Sequence, residues 1–70
     1  MTGQQAQKVL ELYQSGHMIK YAEGPYVNGF ASVWDSNGVI MLSDDVYVPT
    51  PLTDLSARYI EVYKPIDWRD

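Results

Sequence analysis

Tyr26-Val27-Asn28-Gly29-Phe30-Ala31-Ser32-Val33-Trp34-Asp35-Ser36-Asn37-Gly38-Val39-Ile40-Met41-Leu42 is the stretch that decides the fold. Two apolar runs, rich in β-branched and aromatic residues, flank Asp35-Ser36-Asn37-Gly38. The Asn-Gly pair supplies two adjacent residues that accept positive φ cheaply, which a two-residue hairpin turn requires. The flanking side chains suit a pleated, half-buried surface. The reading is a β-hairpin with strands over 26–34 and 39–43. Gly29 marks a bulge or a close backbone approach. The unbroken Val39-Ile40-Met41-Leu42 run implies burial on both faces, or an interface on one.

Upstream, residues 3–15 read as an amphipathic helix. Thr2 and Gln5 have the spacing of a capping box. Ala6, Val9, Leu10 and Tyr13 recur along one helical face, with Leu12 widening the stripe. Gly16 is where a left-handed cap would close it. Such a short helix is marginal alone, so it must dock, and the sheet is its support. His17 to Ala22 follows as a first strand, ended by Glu23-Gly24-Pro25.

Downstream, Asp44-Asp45 breaks the second hairpin strand. Val46-Tyr47-Val48 reads as a short edge strand, and Pro49-Thr50-Pro51 as an extended stretch. Leu52-Thr53-Asp54-Leu55 reads as one helical turn. For residues 57–63 two readings compete. Alternation of Arg58, Ile60 and Val62 with Tyr59, Glu61 and Tyr63 argues for a strand, which is favoured. Leu52, Leu55 and Tyr59 at helical spacing behind Thr50-Pro51 argue for a helix. Lys64-Pro65 ends the element, and Ile66 to Asp70 forms a tail. The expected fold is α+β, a single small domain over 1–70, with an N-terminal amphipathic helix packed on a three- or four-stranded antiparallel β-meander.

The chain has 70 residues, 46% of them hydrophobic, which is too apolar for a disordered tail. A domain of this size buries only roughly 60% of its unfolded surface, so its core is thin. There is no cysteine, hence no disulfide and no thiolate for a metal. No apolar run approaches the ~18 residues of a membrane span. The opening residues lack the basic start and apolar core of a secretion signal, so a cytoplasmic protein is expected.

The net charge of −4 lies wholly in the second half. Between Asp35 and Asp54 stand four aspartates (Asp35, Asp44, Asp45, Asp54) and no base. Such a segment repels phosphate and attracts basic surfaces, which argues against nucleic acid and anionic membrane as direct partners.

Catalytic signals are sparse. His17, the only histidine, follows the helix-ending glycine and is expected to meet the helix C-terminal carbonyls. Adjacent Asp44 and Asp45 on a strand would point to opposite faces and could not share an ion. Asp35-Ser36-Asn37-Gly38 sets its glycine too early for a calcium loop. No phosphate-cradling glycine loop or nucleophile elbow occurs, so no enzyme, metal or cofactor is expected.

Aromatics exceed what so small a core can hold: six tyrosines, two tryptophans and one phenylalanine. On a strand over 26–34, Tyr26, Phe30 and Trp34 share one face. If the helix covers the other face, these three form an exposed ridge, the kind of surface that binds partners. The expectation is a small acidic, non-enzymatic protein-binding module, an inhibitor or adaptor. Its contacts would be Tyr26, Phe30, Trp34, Asp35, Asp44, Asp45, Tyr47 and Asp54, and its partner a protein with a basic surface. By class analogy with small mobile-element or phage-type proteins, that surface would be a nucleic-acid-binding one, masked by the aspartates. The alternative is a structural homo-oligomer, such as a homodimer, that buries its aromatic face in self-association.

Overall fold

The computed structural model describes residues 1–25 and 28–65. Helix α1 spans Gly3–Gln14. Its capping box is complete: Thr2 Oγ1 accepts the Gln5 N–H at 3.1 Å, and Gln5 Oε1 accepts the Thr2 N–H at 2.9 Å. Past the helix, Gly16 takes φ +96°, and the His17 N–H turns back to Leu12 O at 3.0 Å. Ala6, Val9 and Leu10 are the buried stripe.

Five strands follow among the described residues: β1 Met18–Tyr21, β2 Ser32–Ser36, β3 Val39–Ser43, β4 Thr50–Pro51 and β5 Ile60–Tyr63. β2 and β3 form the expected hairpin, with Ser36 opposite Val39 and the turn made by Asn37 (φ 52°) and Gly38 (φ 86°). β4 adds antiparallel to β3, giving a three-stranded meander. β1 and β5 form a separate antiparallel pair, Met18 facing Tyr63 and Tyr21 facing Ile60. A bridge between Ile19 and Ala31 joins the two sheets and sets the spatial order β5-β1-β2-β3-β4. The fold is α+β, one N-terminal helix packed on antiparallel sheets.

Three details depart from the sequence reading. The strand expected over 26–34 starts only at Ser32. Side chains hold the backbone before it: Asn28 Nδ2 donates to Tyr21 O at 2.6 Å, and the Gly29 N–H donates to Asp45 Oδ1 at 2.8 Å. Tyr26 and Val27 lie outside the described residues. Val46-Tyr47-Val48 is not a strand, because Asp44 Oδ1 accepts the N–H groups of Val46 and Tyr47 at 2.9 and 2.6 Å and bends the chain. The pairing with β3 is made by Thr50–Pro51 instead. Residues 57–63 satisfy both competing readings in part: Ala57–Tyr59 makes a 3-10 turn and Ile60–Tyr63 a strand. Leu52–Asp54 makes the expected helical turn. The tail, Trp68 included, lies outside the described residues.

The core forms between α1 and the sheets. Ile19, Leu42 and Leu52 are fully enclosed, with Tyr21, Ala31, Val33 and Leu55 around them. Each buried aliphatic side chain of this size contributes roughly 1.5–3 kcal/mol, so these few residues carry much of the stability.

Candidate functional site

Strand alternation turns one face of the sheet to the helix and the other away from it. Ile19, Tyr21, Val33 and Leu42 face α1 and are buried. Their neighbours Met18, Lys20, Trp34 and Met41 therefore face outward, joined by Glu61 and Tyr63 through the β1–β5 register. Phe30 joins the same face: its ring meets that of Tyr63 edge-on at 5.6 Å, and Lys20 Nζ sits 4.8 Å above it. Met18, Phe30, Trp34 and Tyr63 are 36, 48, 36 and 44% exposed. Trp34 stands opposite Met41, and Met41 opposite Pro51, which extends the apolar surface across the meander. Lys20 and Glu61 are cross-strand partners, so the charges on this face offset one another.

The aspartates shape the loops. Besides bending residues 46 and 47, Asp44 lies with Oδ2 3.4 Å from Asn28 Nδ2. Asp45 holds Gly29, and a Cβ added at that glycine would sit 3.3 Å from Asp45 Oδ2, the close approach expected of it. Asp35 Oδ1 accepts the Gly38 N–H at 2.8 Å and pins the hairpin turn. Asp54 ends the 3-10 turn that packs on α1 and β3. The Gly29–Asp45 bond thus brings the acidic loop beside Phe30. Trp34 and Asp35 lie toward the hairpin tip, and Asp54 stands apart on the helix side. Tyr26, expected in the ridge, is outside the described residues.

Tyr47 belongs to the other side of the sheet. Its ring packs edge-on against Tyr21 at 5.3 Å, and its hydroxyl donates to Glu23 Oε2 at 3.2 Å. The Tyr21 hydroxyl donates to the same oxygen at 2.9 Å and accepts the Ser56 N–H at 3.2 Å. Burial above all, and then Glu23, raise the Tyr21 phenol above its ordinary pKa, while the Ser56 N–H pulls it down. Desolvation and Glu23 raise Tyr47 in the same direction. On the outward face Tyr63 is raised chiefly by donating to Glu61 Oε1, at 2.7 Å.

His17 Nδ1 lies 3.2 Å from Leu12 O, so the ring caps the helix as its position in the sequence implied. Beside it, where β1 and β2 part, a groove of about 500 Å³ is lined by Tyr13, His17, Met18, Phe30 and Ser32, with Gly16 and Ala31. Among the described residues no group of three His, Cys, Asp or Glu side chains could hold a metal ion. No helix among them is long and apolar enough to cross a membrane.

The sequence reading set Phe30 and Trp34 on one exposed face, where they lie, but did not foresee Met18, Lys20 or Tyr63 beside them. The alternation of Tyr63 with Val62 was visible, yet nothing local showed that β5 pairs with β1 and so sets Tyr63 beside Phe30. The chain matches no family model, no curated protein and no solved structure at a significant level.

Proposed function

We propose that this chain is a small non-enzymatic protein-binding module, an inhibitor or adaptor acting in the cytoplasm, that engages a larger partner through the outward face of its sheet. The observation that carries the reading is the exposure of Phe30, Trp34, Met18 and Tyr63 together on the face opposite the helix. An apolar cluster of this kind on so small a domain marks an interaction surface, and aromatic anchors supply most of the contact energy in such surfaces. Asp35, Asp44, Asp45 and Asp54 steer the module toward a basic surface, setting rate and specificity more than affinity. A nucleic-acid-binding surface on the partner would be masked in this way. Lys20 and Glu61 lie within the contact and fix its orientation.

The test is capture of partners by the tagged full chain from lysate of its source cell or host, with washes at low and high salt. Phe30→Ala and Trp34→Ala, checked for folding by circular dichroism, are expected to lose a salt-sensitive partner by tenfold or more, since hot-spot truncations cost about 2 kcal/mol or more. Capture unchanged by both substitutions, or capture of nothing but copies of the same chain, overturns the reading.

A further inference from the structure

Among the described residues, the outer edge of β2 is only half used. In a two-residue hairpin the closing pair, here Ser36 and Val39, exchanges hydrogen bonds across the ladder. Ser32, Trp34 and Ser36 therefore direct their main-chain groups to β3, while Ala31, Val33 and Asp35 direct theirs away from it. The Ala31 N–H, donated to Ile19 O at 2.7 Å, confirms this phase. One residue further, β1 has left: the His17 N–H is given to Leu12 O, and among the described residues no group pairs with the outward main chain of Val33 or Asp35. The groove between Met18 and Ser32 opens at this point of departure.

We propose that this edge of β2, unpaired among the described residues, is a strand-addition site, taking an extended segment of the partner protein that carries a large apolar residue and a basic one. This rests on the binding-module reading and names how the partner is held. Outward N–H and C=O groups at strand spacing are satisfied by another main chain, and side chains on alternate sides of it supply selectivity. On one side of the added strand the groove walled by Tyr13, Met18 and Phe30 receives the apolar residue. At the far end of the edge, Asp35 is the one charged residue of β2 and selects a lysine or arginine. The base-free run from Asp35 to Asp54 adds to the same preference. A second copy of this chain is a poorer occupant. Its own β1 and helix would crowd the cleft, and antiparallel pairing of β2 with itself draws two Asp35 carboxylates together.

The experiment uses the full chain made by chemical synthesis and, as probe, a random displayed peptide library. Selected peptides are expected to alternate apolar and basic residues. N-methylation of the Val33 amide removes one outward donor and leaves the side chain in place. It should weaken a selected peptide about tenfold or more, as should Ser32→Trp, which fills the groove; a melting curve on each variant checks the fold. Hydrogen exchange at the Val33 amide should slow in the complex. Equal affinity for the N-methylated chain, failure of the library to yield a binder, or concentration-dependent dimerisation through Val33 overturns the proposal. Partner capture that is lost in Phe30→Ala but kept in the N-methylated chain overturns strand addition and leaves the binding-module reading standing. Capture indifferent to both removes both.

Discussion

Tyr21→Phe deletes one oxygen from a part-buried polar junction that ties three segments together. Tyr21 is 1% exposed, and its hydroxyl links three segments: it donates to Glu23, accepts from Ser56, and through Glu23 is joined to Tyr47 in the acidic loop. A hydrogen bond to a charged acceptor contributes about 1.5–3 kcal/mol and a neutral one about 0.5–1.5. Glu23 and Ser56 are both exposed, so water recovers part of each loss and the low end of each range applies. The substitution should therefore cost about 2 kcal/mol. A single core in a chain below about 70–80 residues rarely supplies more than ~3–5 kcal/mol, so this is a large fraction of the total. At ~4–8 °C per kcal/mol for a domain of this length, Tm should fall by roughly 8–16 °C. Thermal melts of the wild-type chain, Tyr21→Phe, Tyr47→Phe and the double variant would measure the Tm shift, and urea melts of the same four the free-energy loss. The urea slope should stay constant, and the double variant should lose less than the two single losses combined, because both phenols share Glu23 Oε2. A Tm drop under about 2 °C for Tyr21→Phe, or strict additivity in the cycle, would refute the account of the junction.

The same phenol makes stability fall at alkaline pH. Its folded pKa lies above the unfolded value of about 10, so its contribution is complete below pH 10 and is lost as pH rises through the raised folded value. Tm followed from pH 8 upward should hold and then decline, with a shallower decline in Tyr21→Phe; an equal decline in both would contradict the assignment. Gly38→Ala forces a Cβ onto φ +86° in the hairpin turn and should cost about 1 kcal/mol or more, whereas Gly3→Ala, with open space around its Cβ on the helix, should be neutral or slightly stabilising in the same melts.

What was legible in the sequence is what short-range chemistry specifies. Thr2 with Gln5, Gly16, Asn37-Gly38 and the Leu52–Asp54 turn each involve groups only a few residues apart, and each stands where its residues implied. The partnership of β1 with β5 was not legible, because Ile19 and Val62 would look the same beside any other strand. The shortened β2 had a related cause. Asn28 and Gly29 follow strand-like neighbours, but their bonds go to Tyr21 and Asp45, which are distant in sequence and take the place of ladder partners. The reading of Asp44-Asp45 as a strand breaker identified the right place. It could not foresee that one carboxylate would curl residues 46 and 47 around itself. For the site, Phe30 and Trp34 followed from alternation around the hairpin, whereas Met18, Lys20 and Tyr63 required the long-range pairing.

That pairing also orders events in time. The β2–β3 hairpin closes across two residues, a step of microseconds. β1 must hold Ile19 and Tyr21 ready while some forty residues of intervening chain are gathered before β5 can dock, and that closure carries an entropic cost that grows only slowly with loop length. On the ribosome the helix, β1 and the hairpin are all synthesised before the strand that completes their sheet. Until Tyr63 arrives, the outer edge of β1 stands open, so the nascent chain is most exposed to mispairing just before the fold is finished.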